Sequence, residues 1–334
     1  MIEKQTVFIL GAGASCPYGF PTAKGLRSKI VGEFVSAYEH LLHERQKLDV
    51  DGINEGYPSP AEAKHFVSSF DLSSTESVDL FLSWHPQFEK IGKIAISLLI
   101  LNAEHTSQFR ERVKKMDEDW YFLLFNRLTQ ELAGKDGYQG FGKNRVTFVT
   151  FNYDRSLEYF LFNSLLHAFE GADPLKVEEQ ILQVPIIHVY GQIAPVKLHD
   201  DNGHRLPKYG LKYGKDISHF SDVGFLDDVR YLYVVREKRA NPELEKAREQ
   251  IAKAERIFFL GFGYAKENLE ALGLPAVLKT DQDIRGTAMG GTEREIQLIA
   301  RYFKKALQGA GNPDARSNID IRDCDCVRLL RDCL

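Results

Sequence analysis

Cysteine is scarce: four in 334 residues. Cys16 stands alone near the N-terminus, and Cys324, Cys326 and Cys333 crowd the other end. No Cys-x-x-Cys pair occurs, which excludes the usual zinc knuckles and redox dithiols. The three late cysteines could hold a metal if a fourth ligand came from elsewhere; reduced, partly buried thiols in a cytoplasmic protein are the alternative reading. Long hydrophobic runs are lacking too. The most apolar, Ile94 to Leu101, falls well short of the roughly 20 residues that span a bilayer, so no membrane is expected as partner. Met1-Ile2-Glu3-Lys4 runs straight into a strand-like segment without a signal-peptide layout, and a cytoplasmic location is expected. An excess of positive charge is also missing. Lys and Arg number 43 against 47 Asp and Glu, a formal charge of -4, and direct nucleic-acid binding is not expected.

What is present is core-forming material: 43% of the residues are hydrophobic and 11% aromatic, enough to exclude general disorder. At about 150 residues per domain the length allows two domains, or one with an inserted module. Thr6–Leu10 is a short apolar run that stops at glycines, as a buried strand of a parallel sheet does. From Ala23 to Ala133 the spacing is largely helical, broken by a turn-rich stretch from Gly52 to Pro60. Strands are then predicted at Arg145–Thr150, Val184–Val189, Tyr231–Val235, Arg256–Leu260 and Asn318–Arg322. Helices follow from Arg155 to Phe169 and from Asp325. The alternation predicts one α/β domain over residues 1–334: a doubly wound, mainly parallel, Rossmann-like sheet. Residues 28–140 form a mainly helical insertion between its first two strands. The apolar stretch from Ile91 to Leu101 could pack in the core or serve as an interface.

Four segments fall where such a sheet places ligands, beyond the carboxyl ends of strands. Gly11-Ala12-Gly13-Ala14-Ser15 could bring amides to phosphate oxygens, or could simply be a tight turn. It is neither a G-x-G-x-x-G fingerprint, because Cys16 stands at the third glycine, nor a Walker loop. Thr150-Phe151-Asn152-Tyr153-Asp154 offers an amide and a carboxylate at a strand end, with helix capping as the alternative duty of Asp154. His188-Val189-Tyr190-Gly191 ends an apolar strand; its imidazole is either structural or a general base. Phe258 to Tyr264, followed by Asn268, again ends a strand in glycines.

In this order the four segments resemble the sirtuin family. Its hallmarks are a Gly-Ala-Gly-x-Ser loop with a later Gly-x-Pro, a Thr-x-Asn-x-Asp strand end, a His-Gly pair and a Gly-Thr-Ser turn. Here they read as Gly11 to Ser15 with Gly19-Phe20-Pro21, Thr150 to Asp154, His188 to Gly191, and Gly261 to Gly263. The chain departs from deacetylating members in having Thr22-Ala23-Lys24 after the proline and no four-cysteine zinc module. Its Gly-Phe-Pro-Thr and Phe-Asn-Tyr-Asp versions look like the divergent sirtuin-like domains of prokaryotic antiphage systems.

That resemblance implies an NAD hydrolase, an enzyme that cleaves the nicotinamide–ribose bond without a metal and depletes NAD in an infected cell. It implies Asn152 as the residue positioning water or a ribose hydroxyl and His188 as general base. Gly11, Ala12, Gly13 and Ser15 would hold the pyrophosphate. Phe20 and Pro21 would lie in the loop near the nicotinamide ribose. Asp154 would read the carboxamide, and Gly261, Phe262 and Gly263 would border the adenosine. Homo-oligomerisation and a partner such as a HerA-type hexameric ATPase or another defence subunit are the expected means of restraint. A non-catalytic subunit that senses NAD or ADP-ribose is the alternative, and a protein deacylase is a third.

Overall fold

The structure is a computed structural model that describes residues 1–47, 54–106, 119–134, 136–193, 213–214, 241–309 and 319–334. Its centre is a six-stranded sheet of β1 (Thr6–Leu10), β2 (Val146–Thr150), β3 (Ile186–His188), β4 (Arg256–Leu260), β5 (Asp283–Thr287) and β6 (Ile319–Arg322). The order is β3-β2-β1-β4-β5-β6, and every neighbouring pair is parallel. Helices pack around this open sheet, the arrangement of a Rossmann-like fold. The order reverses between β1 and β4, so the chain proceeds from those two strands toward opposite edges of the sheet. β1 and β2 are buried at every position, as the unbroken apolar runs require of strands covered on both faces. Phe8 stacks on Phe148 and on Phe258 across both neighbouring strands, at 5.4 and 5.2 Å.

Two strand expectations change. β3 is shorter than Val184–Val189: Pro185 has no N–H to donate, and Gly191 turns the chain at a φ of 77°. β5 was not expected, because Asp-Ile-Arg-Gly-Thr does not read as an apolar run. Its Arg285 is bridged instead by Asp283 at 2.7 Å and by Asp320 of β6 at 3.0 Å. The expected strand Tyr231–Val235 lies outside the described residues, as does part of the turn-rich stretch from Gly52 to Pro60.

Between β1 and β2 the chain forms helices α1 (Ala12–Ser15), α2 (Ala23–Gln46), α3 (Pro60–Leu72), α4 (Val78–Trp84), α5 (Glu89–His105) and α6 (Trp120–Thr129). Their starts are written locally. Thr22 caps α2 by accepting from the Gly25 amide, Ser59 and Glu62 form a reciprocal capping box at α3, and Asp119 caps α6. α5 is buried nearly all round from Ile91 to Leu101, so that stretch belongs to the core. No helix among the described residues is long and apolar enough to cross a membrane.

The end of α5 is tied to α7 (Ser156–Ala168), the helix after β2, by one buried ion pair. Arg155 donates from Nε to Oε1 of Glu104 at 2.9 Å and from Nη2 to Oε2 at 2.7 Å. The side chains are 0% and 1% exposed. A two-pronged guanidinium–carboxylate contact fixes orientation as well as distance. Removing either partner strands a charge in the core, so Arg155→Ala or Glu104→Ala is expected to lose about 3–5 kcal/mol. Urea unfolding at neutral pH measures this; a loss below about 1 kcal/mol would contradict it.

Candidate functional site

Leu10, Thr150 and His188 stand in one row across β1, β2 and β3. In parallel strands such partners share a face, and side chains two apart share it too. Ile186 and Asn152 therefore join that face. With Ser15, Tyr121, Asp154, Leu157 and Glu158 they line a small cleft at the carboxyl ends of the strands, with room for about one water molecule. Asn152, Asp154, His188 and Ser15, expected from separate segments, are thus brought together. Tyr121 and Glu158 complete the lining without having been expected.

Asn152 is held by its amide nitrogen, which donates to the Gly11 carbonyl at 3.0 Å and to Ser15 Oγ at 2.9 Å. Because the Gly11 oxygen can only accept, the amide orientation is fixed. Asn152 Oδ1 is then buried with no hydrogen-bond partner. Buried polar atoms are nearly always paired, and an orphaned acceptor in a cleft invites a donor from outside the protein.

Asp154 stands one residue before Arg155, the N-cap of α7, so it is not the cap; it makes a local turn with Ser156 and faces the cleft. Its Oδ1 accepts from the Ser156 amide at 3.1 Å and from the Ser156 hydroxyl. Burial pushes its carboxyl above the usual range, against the lowering effect of hydrogen bonds from Ser156 and Ser15. Tyr121 Oη meets Ser156 Oγ at 2.8 Å. The Tyr121 ring stacks on Tyr18 with centroids 4.1 Å apart, and the neighbouring Trp120 donates from Nε1 to the Ala14 carbonyl at 2.8 Å. α6 is thereby fastened to the first glycine turn.

His188 has both ring nitrogens engaged. Nδ1 lies 3.1 Å from the Asn152 carbonyl oxygen and Nε2 lies 2.6 Å from Oε1 of Glu158. Burial alone pushes an imidazole downward; the Glu158 carboxylate, by charge and by hydrogen bond, outweighs it, and the net shift is upward. Sequence reading missed Glu158 because it sits in the first turn of α7, where an acidic residue ordinarily serves the helix dipole. Its spacing of four from Asp154, one helical turn, was the available signal.

The glycines answer first to each other. The Gly13 amide donates to the Gly261 carbonyl at 3.0 Å, and the Ala14 amide to the Gly11 carbonyl at 2.9 Å. A Cβ on Gly11 would meet the Gly261 oxygen at 2.5 Å, and one on Gly13 would meet it at 2.9 Å. A Cβ on Gly261, at a φ of +56°, would meet the Ala14 nitrogen at 2.0 Å. The Gly11 amide donates to the Leu260 carbonyl at 3.0 Å, so Gly11 and Gly13, two of the amides expected at a pyrophosphate, are committed within the protein. Phe262 and Phe20 are buried, and Phe262 packs edge-on against Phe151 at 5.3 Å. Phe151 in turn meets Tyr190 at 5.1 Å, and Tyr190 Oη donates to Asn268 Oδ1 at 2.7 Å. This aromatic cluster joins the last three motif segments. Gly263 is exposed, with free space where a side chain would stand, and Pro21 is partly exposed.

The chain matches no protein-family model and no curated relative. The site therefore has to be judged on its own geometry. Among the described residues no three His, Cys, Asp or Glu side chains are grouped to hold a metal ion. All four cysteines are unpaired with one another, and burial pushes the Cys326 thiol up to about 12.

Two outcomes are expected. The His188–Glu158 pair stabilises the fold fully below the unfolded imidazole value of about 6.5, and this contribution is lost as pH rises through the higher folded value. The stability difference between the natural chain and His188→Gln, read from urea unfolding, should therefore shrink from about pH 5.5 to about pH 9; a constant difference would contradict the charge pair. Gly261→Ala should cost more than the about 1–2 kcal/mol of left-handed backbone alone, whereas Gly263→Ala should stay within about 0.5 kcal/mol. Equal thermal shifts in the two variants would overturn that account of the turn.

Proposed function

We propose that the protein is an NAD hydrolase that releases nicotinamide and ADP-ribose. The observation that carries the reading is the orphaned, buried Oδ1 of Asn152 in a cleft shared with the His188–Glu158 pair. An acceptor fixed in place but unsatisfied suits a nucleophilic water or a ribose hydroxyl, and the adjoining pair suits proton transfer. The sirtuin-like order of the four segments agrees with this reading, and their gathering at one end of the sheet supports it.

The cleft is smaller than the about 300–1,000 Å³ of pockets that enclose a whole drug-sized ligand. On this reading a water occupies it, the nicotinamide-ribose end meets its mouth, and Asp154 and Ser15 supply polar contacts there. The adenosine end runs past Gly263, where the surface is open. The pyrophosphate relies on what Ala12 and Ser15 can offer, since the Gly11 and Gly13 amides are engaged. The positively charged pyridinium is already a good leaving group, so the protein's task is to place NAD and water and to stabilise charge developing at the ribose. An antiphage role, homo-oligomerisation and restraint by an ATPase partner complete the proposal.

The purified chain, alone and with the products of its neighbouring genes, is expected to release nicotinamide from NAD. Asn152→Ala and His188→Ala should each reduce turnover by at least about 100-fold while leaving the circular dichroism spectrum unchanged. Binding of NAD without any turnover would favour the sensing subunit instead. Intact NAD and no binding in every combination would sink both readings.

A further inference from the structure

The ring of His188 has no nitrogen to offer a substrate. Its Nδ1 faces the Asn152 carbonyl oxygen at 3.1 Å, and a carbonyl only accepts, so Nδ1 carries a hydrogen. Its Nε2 is engaged by Glu158 Oε1 at 2.6 Å. A base held in this way cannot also accept a proton from water. Glu158 can, because its Oε2 has no hydrogen-bond partner among the described residues and its side chain lines the cleft beside Asn152. Resting on the hydrolase reading above, we infer that Glu158 is the group that takes the proton from the attacking water, and that His188 is the positioning residue that holds its carboxylate.

In this arrangement the water gives one hydrogen bond to Asn152 Oδ1 and the other to Glu158 Oε2. As the C1′–N bond breaks, its electron pair passes to the pyridinium nitrogen, and nicotinamide leaves neutral. The water oxygen bonds to C1′, and its proton moves to Glu158 and then to solvent. The balance is NAD plus water giving nicotinamide, ADP-ribose and one proton. The charged and titratable groups around Glu158 come from three sides: His188 from β3, Asp154 and Arg155 from the turn before α7, and Tyr121 from α6. Of these, His188 is the one within hydrogen-bond reach of the Glu158 carboxylate, at 2.6 Å.

The test uses the full chain, nicotinamide release from NAD and a series of buffers from about pH 5 to pH 9. Glu158→Gln keeps a group that can accept from Nε2 but cannot take a proton. It is expected to lower kcat at least about 100-fold with KM changed less than about threefold. Glu158→Ala should be inactive and regain at least tenfold when sodium formate is added, because formate can act in place of the missing carboxylate. His188→Gln, whose amide can still donate to the Glu158 carboxylate, should retain more turnover than His188→Ala, with the loss in both falling on kcat and KM changed less than about threefold. Glu158→Gln turnover within about threefold of the natural chain, or no response of Glu158→Ala to formate, overturns the assignment. An inactive natural chain is a different result: it removes the hydrolase reading itself, and with it this role for Glu158.

Discussion

The buried contact between Arg155 and Glu104 is the constraint on which the site geometry depends. Arg155 sits between the strand end that carries Asn152 and Asp154 and the helix that carries Ser156 and Glu158. Two parallel N–H···O bonds in a dry setting leave this junction little freedom to rotate. Glu158 is therefore aimed at β3, while Asp154 and Ser156 bond each other and Ser156 meets Tyr121, from an anchor that faces the helical layer. Such a pair adds little net stability compared with an apolar substitute. Its effect is on direction.

From that anchor the remaining contacts follow in sequence. Glu158 meets His188 across the sheet, His188 meets the carbonyl of Asn152, and the amide of Asn152 meets Gly11 and Ser15. Three segments far apart in the chain are linked side by side through a few hydrogen bonds. Trp120 closes the circuit by reaching Ala14 from the helical layer. That layer thus lines the cleft through Tyr121 and steadies it from behind through Glu104 and Trp120.

Much of this was legible in the residues, and the exceptions have physical causes. Apolar runs stopped by glycine marked β1 and β4, and Asn152, Asp154 and His188 were visible as polar groups ending apolar strands. β5 was hidden because its Arg285 is neutralised by carboxylates on two strands, a compensation that exists only after folding. Glu158 was hidden because an acid in a first helical turn needs no partner to be explained. Tyr121 lay in a helix whose apolar spacing already accounted for it. The glycines were correctly singled out, but their close partners are other backbone segments, which no single segment can reveal.

Gly11, Gly13 and Gly261 form one backbone crossing at the place where the strand order reverses. A side chain at any of the three would push apart the loops leaving β1 and β4, whatever chemistry those loops serve. These three positions therefore constrain one another in evolution: a related chain that had lost its polar cluster would still need all of them. Among divergent relatives, the glycines would trace common descent of the scaffold. Asn152, Glu158 and His188, which no backbone crossing requires, would be free to vary in the same relatives unless the cleft itself holds them.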